Sequence, residues 1–572
     1  MKLIAALAIL GLLGLLITNR FRPAVLFGSV AVLFYVLGYL DLSAWLGSYT
    51  NASLSVLVLL LLTSAVLEKT LLSGYCARFL ITRRYRLSLL RLGVVTAAIS
   101  GFLNNTAVVA SLMGVVRSNR FHAPSRLLIP LSYCSIAGGV TTLIGTSTNL
   151  IVNSLVVEQQ IPSLGFFDFM PVGLLLCAAV IASLLLICRL LPEYPEQPPD
   201  LQEYLIVTRV LPDSPLIGHS ILDNGLRNLG SLFLFEIERD GTVLTPVSHH
   251  EIIRAGDRLI FSGDISHLEI LKRFRGLSLG GDGSAALHGL RLIDVIISPD
   301  SGLLGRPVRE LNFRARFNAA IIALRRGSRQ ILRIGATELR PGDRLILAVG
   351  RDYERRHGLG RDFIVLSELE PHPHLGAWRS AAVLAAFAAV IALAALEVVE
   401  LARGLLLMLL GCLAARLITI GELRRHFPLD IFIIVGSSLA ITKVLVGSGL
   451  AADVAGLILG LFGSGGVYGS FAGVYLLTLC LTEVITNNAA AALALPIGLA
   501  TAEALGVSPY PFIFAVAYGA SAGFMMPHGY QTHLMVGALC GYRTTDFMRV
   551  GWLVSIAYSA VVLSCVPLAF AF

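Results

Sequence analysis

Residues 101–109 read GFLNNTAVV, and residues 484–492 read VITNNAAAA. Each stretch places two adjacent asparagines inside an otherwise apolar segment. Polar groups within a bilayer must find partners inside the protein, so these pairs indicate re-entrant hairpins whose tips are covered by other segments. We therefore predict hairpins near 92–116 and 468–500.

A second motif follows each asparagine pair at nearly the same distance. Residues 145–152 read GTSTNLIV and residues 529–536 read GYQTHLMV, and Asn105 precedes Asn149 by 44 positions. The glycines favour a helix that breaks within its apolar segment. Each half of the chain thus repeats a hairpin followed by a broken helix, a pattern typical of secondary transporters.

The overall composition agrees with a membrane protein. The chain has 572 residues, of which 56% are hydrophobic and 14% charged, and its mean hydropathy is +0.78. Ordinary soluble domains carry about 25% charged residues, so a single soluble domain and a disordered chain are both excluded. The eight cysteines form no CxxC pair, which argues against structural zinc and against a disulfide framework.

Besides the hairpins, we predict about ten membrane spans from apolar stretches of sufficient length. They lie near 3–19, 24–40, 53–72, 127–157, 171–191, 378–397, 404–418, 430–447, 511–540 and 551–570. The first could pass for a signal peptide, but it has no clear small-residue cleavage site, and we retain it as a span.

The arginines of the short loops set the predicted orientation. One set of loops holds fourteen of them: Arg20, Arg22, Arg78, Arg83, Arg84, Arg86, Arg91, Arg117, Arg120, Arg126, Arg424, Arg425, Arg543 and Arg549. The alternate loops hold only Arg403. The positive-inside rule places the first set in the cytoplasm, both termini outside and the two repeats in opposite orientations. The excess of basic residues, which gives a sequence pI of about 9.1, therefore reflects membrane orientation, and no nucleic-acid partner is expected.

A charged segment interrupts the apolar pattern, after a proline-rich linker at 192–200. It is itself duplicated: DSPLIG at 213–218 recurs as DSGLLG at 300–305, and the GDRLI that opens at Gly256 recurs from Gly342. Short β-rich runs alternate with turn signals. The segment resembles a tandem of RCK-C (TrkA-C) domains, at 201–283 and 284–368. That resemblance implies a cytoplasmic α+β insert that dimerises and binds a small ligand such as a nucleotide; the alternative is a packing module without a ligand.

The hairpin tips and helix breaks provide the chemistry expected of an ion-coupled anion site. Helix C-termini and Asn or Thr side chains offer oxygens that suit a hard cation such as sodium. Helix N-termini offer converging N–H groups that suit an oxyanion. Any single Ser or Thr could instead serve tight helix packing. Two hairpin tips followed by two helix breaks at matching spacing favour a binding site.

On these motifs the membrane part, at 1–191 and 376–572, resembles the divalent anion–sodium symporter (DASS) family. The resemblance implies sodium-coupled transport by an elevator-type motion in a homodimer. It implies substrate contacts at Asn104, Asn105, Thr106, Thr146, Ser147, Thr148, Asn487, Asn488, Gln531, Thr532 and His533. It implies sodium contacts at Asn104, Asn105, Gly145, Asn149, Thr486, Asn488 and Gly529.

Three positions of the second repeat deserve separate interpretation. Ala489 and His533 depart from the family pattern, which expects Thr and Asn there, and they place the second sodium site in question. His533 is either a titratable group or a neutral histidine that hydrogen-bonds in place of the asparagine, and we favour the neutral form. Glu483, like Glu68, is a carboxylate within an apolar segment and needs a partner that the sequence does not identify.

The complete prediction is a polytopic α-helical membrane protein, an inverted repeat with two re-entrant hairpins and a cytoplasmic insert, in a bacterial inner membrane. No Lys or Arg lies at either tip or break, and members with two central RCK-C domains resemble sulfate transporters. We therefore predict a sodium–sulfate symporter that is not an enzyme. A sodium–dicarboxylate symporter, an exporter or antiporter of the same superfamily, and a potassium channel suggested by the insert are weaker alternatives.

Overall fold

The structure is a computed structural model of the full chain. It describes residues 2–18, 21–67, 69–70, 80–117, 119–194, 205–226, 229, 232–240, 242–244, 247–248, 250–263, 271, 273–279, 292–298, 301–311, 313–317, 319–327, 329–331, 334–349, 362–365, 375–396, 398–527 and 529–572. The chain divides into two compact units. One comprises Met1–Tyr194, Pro371–Val536 and Thr544–Phe572, and the other comprises Pro195–Glu370 and Gly537–Arg543.

The first unit is helical. Its first half contains α1 (Lys2–Thr18), α2 (Pro23–Val36), α3 (Leu42–Tyr49), α4 (Ala52–Leu67), α5 (Tyr85–Ser100), α6 (Asn105–Arg117), α7 (Ser125–Gly139), α8 (Ser147–Glu158) and α9 (Met170–Leu186). Its second half contains α11 (Ala377–Ala395), α12 (Leu401–Ala414), α13 (Ile420–His426), α14 (Leu429–Gly447), α15 (Leu450–Phe462), α16 (Gly466–Val484), α17 (Asn487–Leu505), α18 (Tyr510–Ala520), α19 (Gln531–Cys540) and α20 (Thr544–Ala569). The label α10 belongs to Phe313–Phe317 of the other unit.

Apolar side chains cover the outside of the helical unit as well as its interior. Leu186 and Leu568 are each 82% exposed and Leu461 is 76% exposed, although all three lie on well-formed helices. Exposed apolar helix faces are stable in lipid and unfavourable in water. By contrast, every residue of α18 after Tyr510 is buried, so this helix lies in the interior of the unit.

Several helical segments meet the requirements of a membrane span. In the described part of the chain, six are long and apolar enough to cross a bilayer, and six more apolar helices have 10–17 residues. The predicted total of ten spans stays a prediction.

Each predicted hairpin corresponds to two helices with a short connection. In the first, α5 and α6 are joined by residues 101–104, and in the second, α16 and α17 are joined by residues 485–486. The second helix of each hairpin begins within the asparagine pair, at Asn105 and at Asn487. Asparagine competes with helical hydrogen bonding in a helix interior but is favourable at a helix start, which explains this placement.

The other unit contains two antiparallel sheets. Their strands are β1 (Leu205–Val210), β2 (Leu232–Arg239), β3 (Thr242–Leu244), β4 (Arg258–Gly263), β5 (Leu277–Leu279), β6 (Leu292–Ile297), β7 (Ala319–Arg326), β8 (Arg329–Gln330), β9 (Arg344–Val349) and β10 (Phe363–Val365). The strand orders are β3-β2-β4-β1-β5 in the first sheet and β10-β6-β9-β7-β8 in the second. If β6–β10 are matched in chain order to β1–β5, the second sheet has the same order written from its other edge.

The repeated GDR motif has the same role in both sheets. Asp257 accepts hydrogen bonds from Arg239 Nε at 2.8 Å, and Asp343 accepts from Arg326 Nε at 2.7 Å. The preceding glycines have φ of +84° and +81°, a conformation that residues with a Cβ rarely adopt. A turn that needs glycine, followed by a buried Asp paired with an Arg on the neighbouring strand, accounts for the recurrence of these residues.

Candidate functional site

The first asparagine pair has two distinct structural roles. Asn105 is 6% exposed, and its Oδ1 accepts a hydrogen bond from Ser100 Oγ at 2.7 Å. Ser135 Oγ of α7 donates to the Asn105 carbonyl at 3.2 Å. Asn104 is exposed and its Oδ1 accepts from the backbone N–H of Thr106 at 3.0 Å. Asn105 therefore fixes the hairpin to α7, whereas Asn104 caps the start of α6 and faces outward.

The first helix break lies against this hairpin. Between α7 and α8, Thr142 donates its hydroxyl to the Gly101 carbonyl, and Thr142 Oγ1 accepts from the Gly145 N–H at 3.2 Å. Asn149 Nδ2 donates to the Thr142 carbonyl at 2.9 Å. Thr142 thus connects the hairpin tip, the break and the first turns of α8. Nothing in the sequence distinguishes Thr142 from the threonines around it.

Backbone carbonyls converge on Gly145. A Cβ at this position would lie 2.5 Å from the Gly139 oxygen, 2.9 Å from the Ser100 oxygen and 3.0 Å from the Gly101 oxygen. The fully buried Asn149, nearby in sequence, has an Oδ1 without a hydrogen-bond donor among the described residues. Carbonyl and amide oxygens are the donor set of a hard cation, so the groups around this break are of the type that binds sodium. The three carbonyls near Gly145 are called the carbonyl cradle below.

The tip of the second hairpin meets the first break. Asn487 Nδ2 donates to Thr148 Oγ1 at 2.9 Å, and Asn488 Oδ1 accepts from Ser147 Oγ at 3.0 Å. Thr148 Oγ1 also lies 3.4 Å from Asn488 Oδ1. These residues are 340 positions apart in the chain, and the fold brings the predicted set together here.

The converse contact joins the tip of the first hairpin to the second break. Thr106 Oγ1 donates to Gln531 Oε1 at 3.2 Å, across 425 positions. Thr532, the next residue, is 1% exposed, and its Oγ1 has no hydrogen-bond partner among the described residues. Each hairpin tip therefore contacts the break of the other repeat.

The second break is arranged differently from the first. His533 is fully buried, its Nε2 lies 3.0 Å from the Gly523 carbonyl and its Nδ1 lies 2.7 Å from Ser132 Oγ. A nitrogen that faces a carbonyl must carry hydrogen, so Nε2 donates to Gly523. The Ser132 hydroxyl can donate to or accept from Nδ1, so the neutral form of His533 stays a prediction. Ser132 has no sequence signal that would have identified it.

Fewer oxygen atoms lie near Gly529, the glycine of the second break that corresponds to Gly145. Among the described residues, a Cβ at Gly529 would have two neighbours within 4 Å, the Thr482 oxygen at 3.4 Å and the Met526 oxygen at 3.8 Å. Ala489, which occupies the position of Thr106, is fully buried and contributes no oxygen. The second half-site thus offers fewer cation ligands than the first.

Glu483 has backbone partners. Its carboxylate accepts from the N–H groups of Phe524 at 3.0 Å, Met525 at 3.1 Å and Met526 at 2.9 Å. The sequence indicated that this carboxylate needed partners, but backbone amides carry no sequence signature. The other intramembrane carboxylate, Glu68, lies outside the described residues.

A small cavity adjoins the first half-site. Asn104, Gly145 and Ser147 line it together with side chains of α4 and with Phe387 of α11. The α4 residues on its wall are Leu60, Leu61, Ser64 and Leu67. The cavity therefore lies between the first hairpin tip and break on one side and α4 and α11 on the other.

Several known proteins with similar sequences are named transporters. A Chlamydomonas reinhardtii protein, whose name describes a proposed sulfur deprivation response regulator, is 31% identical over 531 residues, covering 88% of this chain and 90% of its own. An uncharacterized transporter of Synechocystis is 29% identical over 553 residues, covering 91% of this chain and 89% of its own. Sodium/sulfate cotransporter 1 of C. reinhardtii is 28% identical over 381 residues, which are 62% of this chain and 43% of that protein.

A family model covers most of the chain. Residues 13–517 match the CitMHS family, which is described as "Citrate transporter". The prediction of a multi-pass membrane transporter, and not an enzyme, is confirmed by this match and by the several apolar helices of spanning length. The chain belongs to the CitMHS citrate transporter family.

Proposed function

We propose that this chain is a sodium-coupled symporter of a small divalent anion, with sulfate as its substrate. The observation that carries the proposal is the reciprocal contact of each hairpin tip with the break of the other repeat, through Asn488 with Ser147 and Thr106 with Gln531. Such a contact builds one shared site from two repeats, as in secondary transporters that bind substrate at the interface of their repeats.

Sodium would bind first at the carbonyl cradle of Gly145. The proposed ligands are the three backbone oxygens near Gly145 and Asn149 Oδ1, which has no hydrogen-bond donor among the described residues. A bound cation would hold the hairpin tip and the break in one arrangement, because its ligands come from both segments. This order explains how sodium prepares the anion site.

The anion would bind between the two tips, with Asn105, Thr106, Thr148, Asn488 and Thr532 nearest to it. Helices α8 and α17 begin there, after Thr146 and Thr486, and neither residue caps its helix with its side chain. Uncapped first-turn N–H groups, aided by the helix dipole, are donors for an oxyanion. A small dianion suits a site that has hydroxyl, amide and N–H donors but no cationic side chain.

Sulfate is preferred over a C4-dicarboxylate on the names of relatives. Three matching proteins are named sodium/sulfate cotransporters, each over about three fifths of this chain. The family description names citrate, which keeps carboxylate substrates as the second candidate. An exporter of the same superfamily is disfavoured by the same relatives.

Transport would follow an elevator-type motion in a homodimer. The hairpins and broken helices would move against the helices that precede them. An ion pair joins these two groups among the described residues: Lys443 Nζ of α14 lies 2.9 Å from Glu158 Oε1 of α8, and Asn51 Nδ2 donates to the same carboxylate. A sliding motion must break this contact, so it belongs to one transport state.

The sheet-containing unit would be a cytoplasmic pair of RCK-C domains that binds a small ligand, such as a nucleotide, and biases this motion. Such a ligand must distinguish the two transport states to have an effect. Deleting 201–368 and measuring uptake with and without cytosolic solutes tests the regulatory role. Unchanged transport and an unchanged response to solutes would contradict it.

Uptake of radiolabelled sulfate into proteoliposomes, with and without an inward sodium gradient, tests the function itself. Sodium-driven uptake that excess succinate leaves unchanged is the expected result. Uptake that succinate abolishes would favour the dicarboxylate alternative, with direct succinate uptake as the next measurement.

A further inference from the structure

Glu483 ends the first helix of the second hairpin and crosses to the second break. It lies four residues before Asn487 and is 8% exposed. Its Oε1 accepts from the Phe524 and Met525 amides, and its Oε2 accepts from the Met526 amide. Among the described residues, no lysine or arginine forms an ion pair with it.

Three consecutive N–H groups that converge outside a helix form an anion-binding nest. Here the nest lies between α18, which ends at Ala520, and α19, which begins at Gln531. Converging N–H groups stabilise the ionised carboxylate, and the carboxylate in turn satisfies three backbone donors that lipid could not. The protein therefore fills its own nest, and a substrate anion cannot occupy the same N–H groups.

The first repeat has no corresponding charge. Aligning Asn105 with Asn488 places Ser100 at the position of Glu483. Ser100 is a neutral residue whose hydroxyl donates to Asn105 Oδ1 and also lies 3.1 Å from Ser135 Oγ. The two half-sites thus differ in electrostatics as well as in shape: the first has a neutral carbonyl cradle, and the second has a fixed carboxylate.

Glu483 is also tied to the rest of the second half-site. The preceding Thr482 donates its hydroxyl to the Ala520 carbonyl at 2.5 Å. The Thr482 carbonyl oxygen faces Gly523 and Gly529, at 3.5 Å and 3.4 Å from the Cβ that each glycine lacks. Side chain and backbone together therefore hold the hairpin, the end of α18 and the break in register.

We propose that Glu483 is the positioning residue of the second half-site, where its carboxylate fills the anion nest of the break and its charge makes cation binding a condition for anion binding. The proposal deepens the symporter function and rests on it. A dianion entering beside a buried carboxylate is repelled until a cation lies close by, which couples the two solutes. The fixed break presents Gln531 and Thr532 to the anion in one orientation.

Glu483→Gln tests the charge with little change in volume, and Glu483→Asp tests the reach of the carboxylate. Glu503→Gln is the matched control, because Glu503 lies at the other end of the same hairpin and is exposed. Each purified protein is titrated with sodium chloride, against choline chloride at equal ionic strength, and its thermal unfolding is followed. Sulfate uptake is then measured in proteoliposomes as a function of sodium and sulfate concentration.

Glu483→Gln is expected to raise the sodium concentration for half-maximal stabilisation by about tenfold or more, because the neutral amide no longer attracts the cation electrostatically. Its KM for sulfate should become less dependent on sodium, Glu483→Asp should be intermediate, and Glu503→Gln should match the unchanged chain. A purely structural role would lower stability without altering the sodium dependence of KM, and that result would overturn the proposal.

A folded Glu483→Gln protein with an unchanged sodium titration would overturn it as well. If Glu483→Gln does not yield a monodisperse protein, the same two readouts on Glu483→Asp decide: unchanged sodium dependence counts against the proposal. Failure of the symporter function itself is distinguishable, because the unchanged chain would then show neither sodium-dependent stabilisation nor sulfate uptake.

Discussion

Gly145→Ala should disable the first half-site by placing one methyl group where three carbonyls converge. The new Cβ would lie 2.5, 2.9 and 3.0 Å from the oxygens of Gly139, Ser100 and Gly101. All three oxygens belong to the backbone, so no flexible side chain can move aside. Such overpacking costs about 1–3 kcal/mol, which corresponds to roughly a tenfold to hundredfold loss of sodium affinity if the cost falls on the bound arrangement.

The assay is the sodium dependence of sulfate uptake in proteoliposomes, together with sodium-dependent thermal stabilisation of the purified protein. Gly460→Ala is the control, since Gly460 also lies in an apolar helix and a Cβ there would meet nothing within 4 Å. The control should behave as the unchanged chain. A Gly145→Ala protein that folds and keeps its half-maximal sodium concentration within about twofold would refute the sodium assignment, because a loss of roughly 1 kcal/mol or more is expected.

Four further perturbations follow from the described contacts. Asn149→Ala should weaken sodium-dependent stabilisation about tenfold, by removing the unpartnered oxygen of the cradle together with one hydrogen bond of about 1 kcal/mol. His533→Asn should leave the rate of uptake as independent of pH between about 6 and 8 as in the unchanged chain, because the neutral ring holds Ser132 and Gly523 rather than carrying a proton. Lys443→Met should change the rate of uptake but not the sodium affinity, since it removes the ion pair to Glu158 that belongs to one transport state. Glu236→Gln should flatten the pH dependence of unfolding. Burial, with a smaller contribution from Glu238, raises the pKa of Glu236 in the folded protein to about 7. The contribution of Glu236 to stability is therefore fully present below the unfolded pKa of about 4.5 and is lost as pH rises through about 7, by up to roughly 3 kcal/mol.

Each of these perturbations has a result that counts against its reasoning. An Asn149→Ala protein with unaltered sodium stabilisation would remove Asn149 from the cation site. A pH-dependent uptake rate that His533→Asn abolishes would restore the histidine as a proton carrier. A Lys443→Met protein with an unaltered rate would show that the ion pair does not control the motion. Equal pH dependence of thermal unfolding in Glu236→Gln and the unchanged chain would assign that dependence to other groups.

The local part of the site could be predicted because its residues conflict with their surroundings. Paired asparagines in apolar segments, and glycines a fixed distance beyond them, are unfavourable in lipid unless a particular structure satisfies them. The start of α6 at Asn105 and of α17 at Asn487 follows from this conflict. The repeated GDR motif likewise indicated where β4 and β9 begin, because its glycine needs a positive φ.

The contacts between distant segments could not be predicted in the same way. The hydrogen bond between Ser132 and His533 spans 401 positions, and the sequence does not indicate which partner a serine on a buried helix contacts. The partners of Glu483 are backbone amides, which every residue except proline possesses. Their identity depends on how the second break folds against the hairpin, and one sequence carries no record of that pairing.

The most direct test of the central claim is the flux of radiolabelled sulfate into proteoliposomes that contain this chain, measured with an inward sodium gradient and with choline in its place. The account predicts sulfate accumulation that requires the sodium gradient, persists in excess succinate and is lost in Gly145→Ala. Sulfate entry that is equal in sodium and choline, or no sulfate entry by a protein that is demonstrably folded, would contradict it.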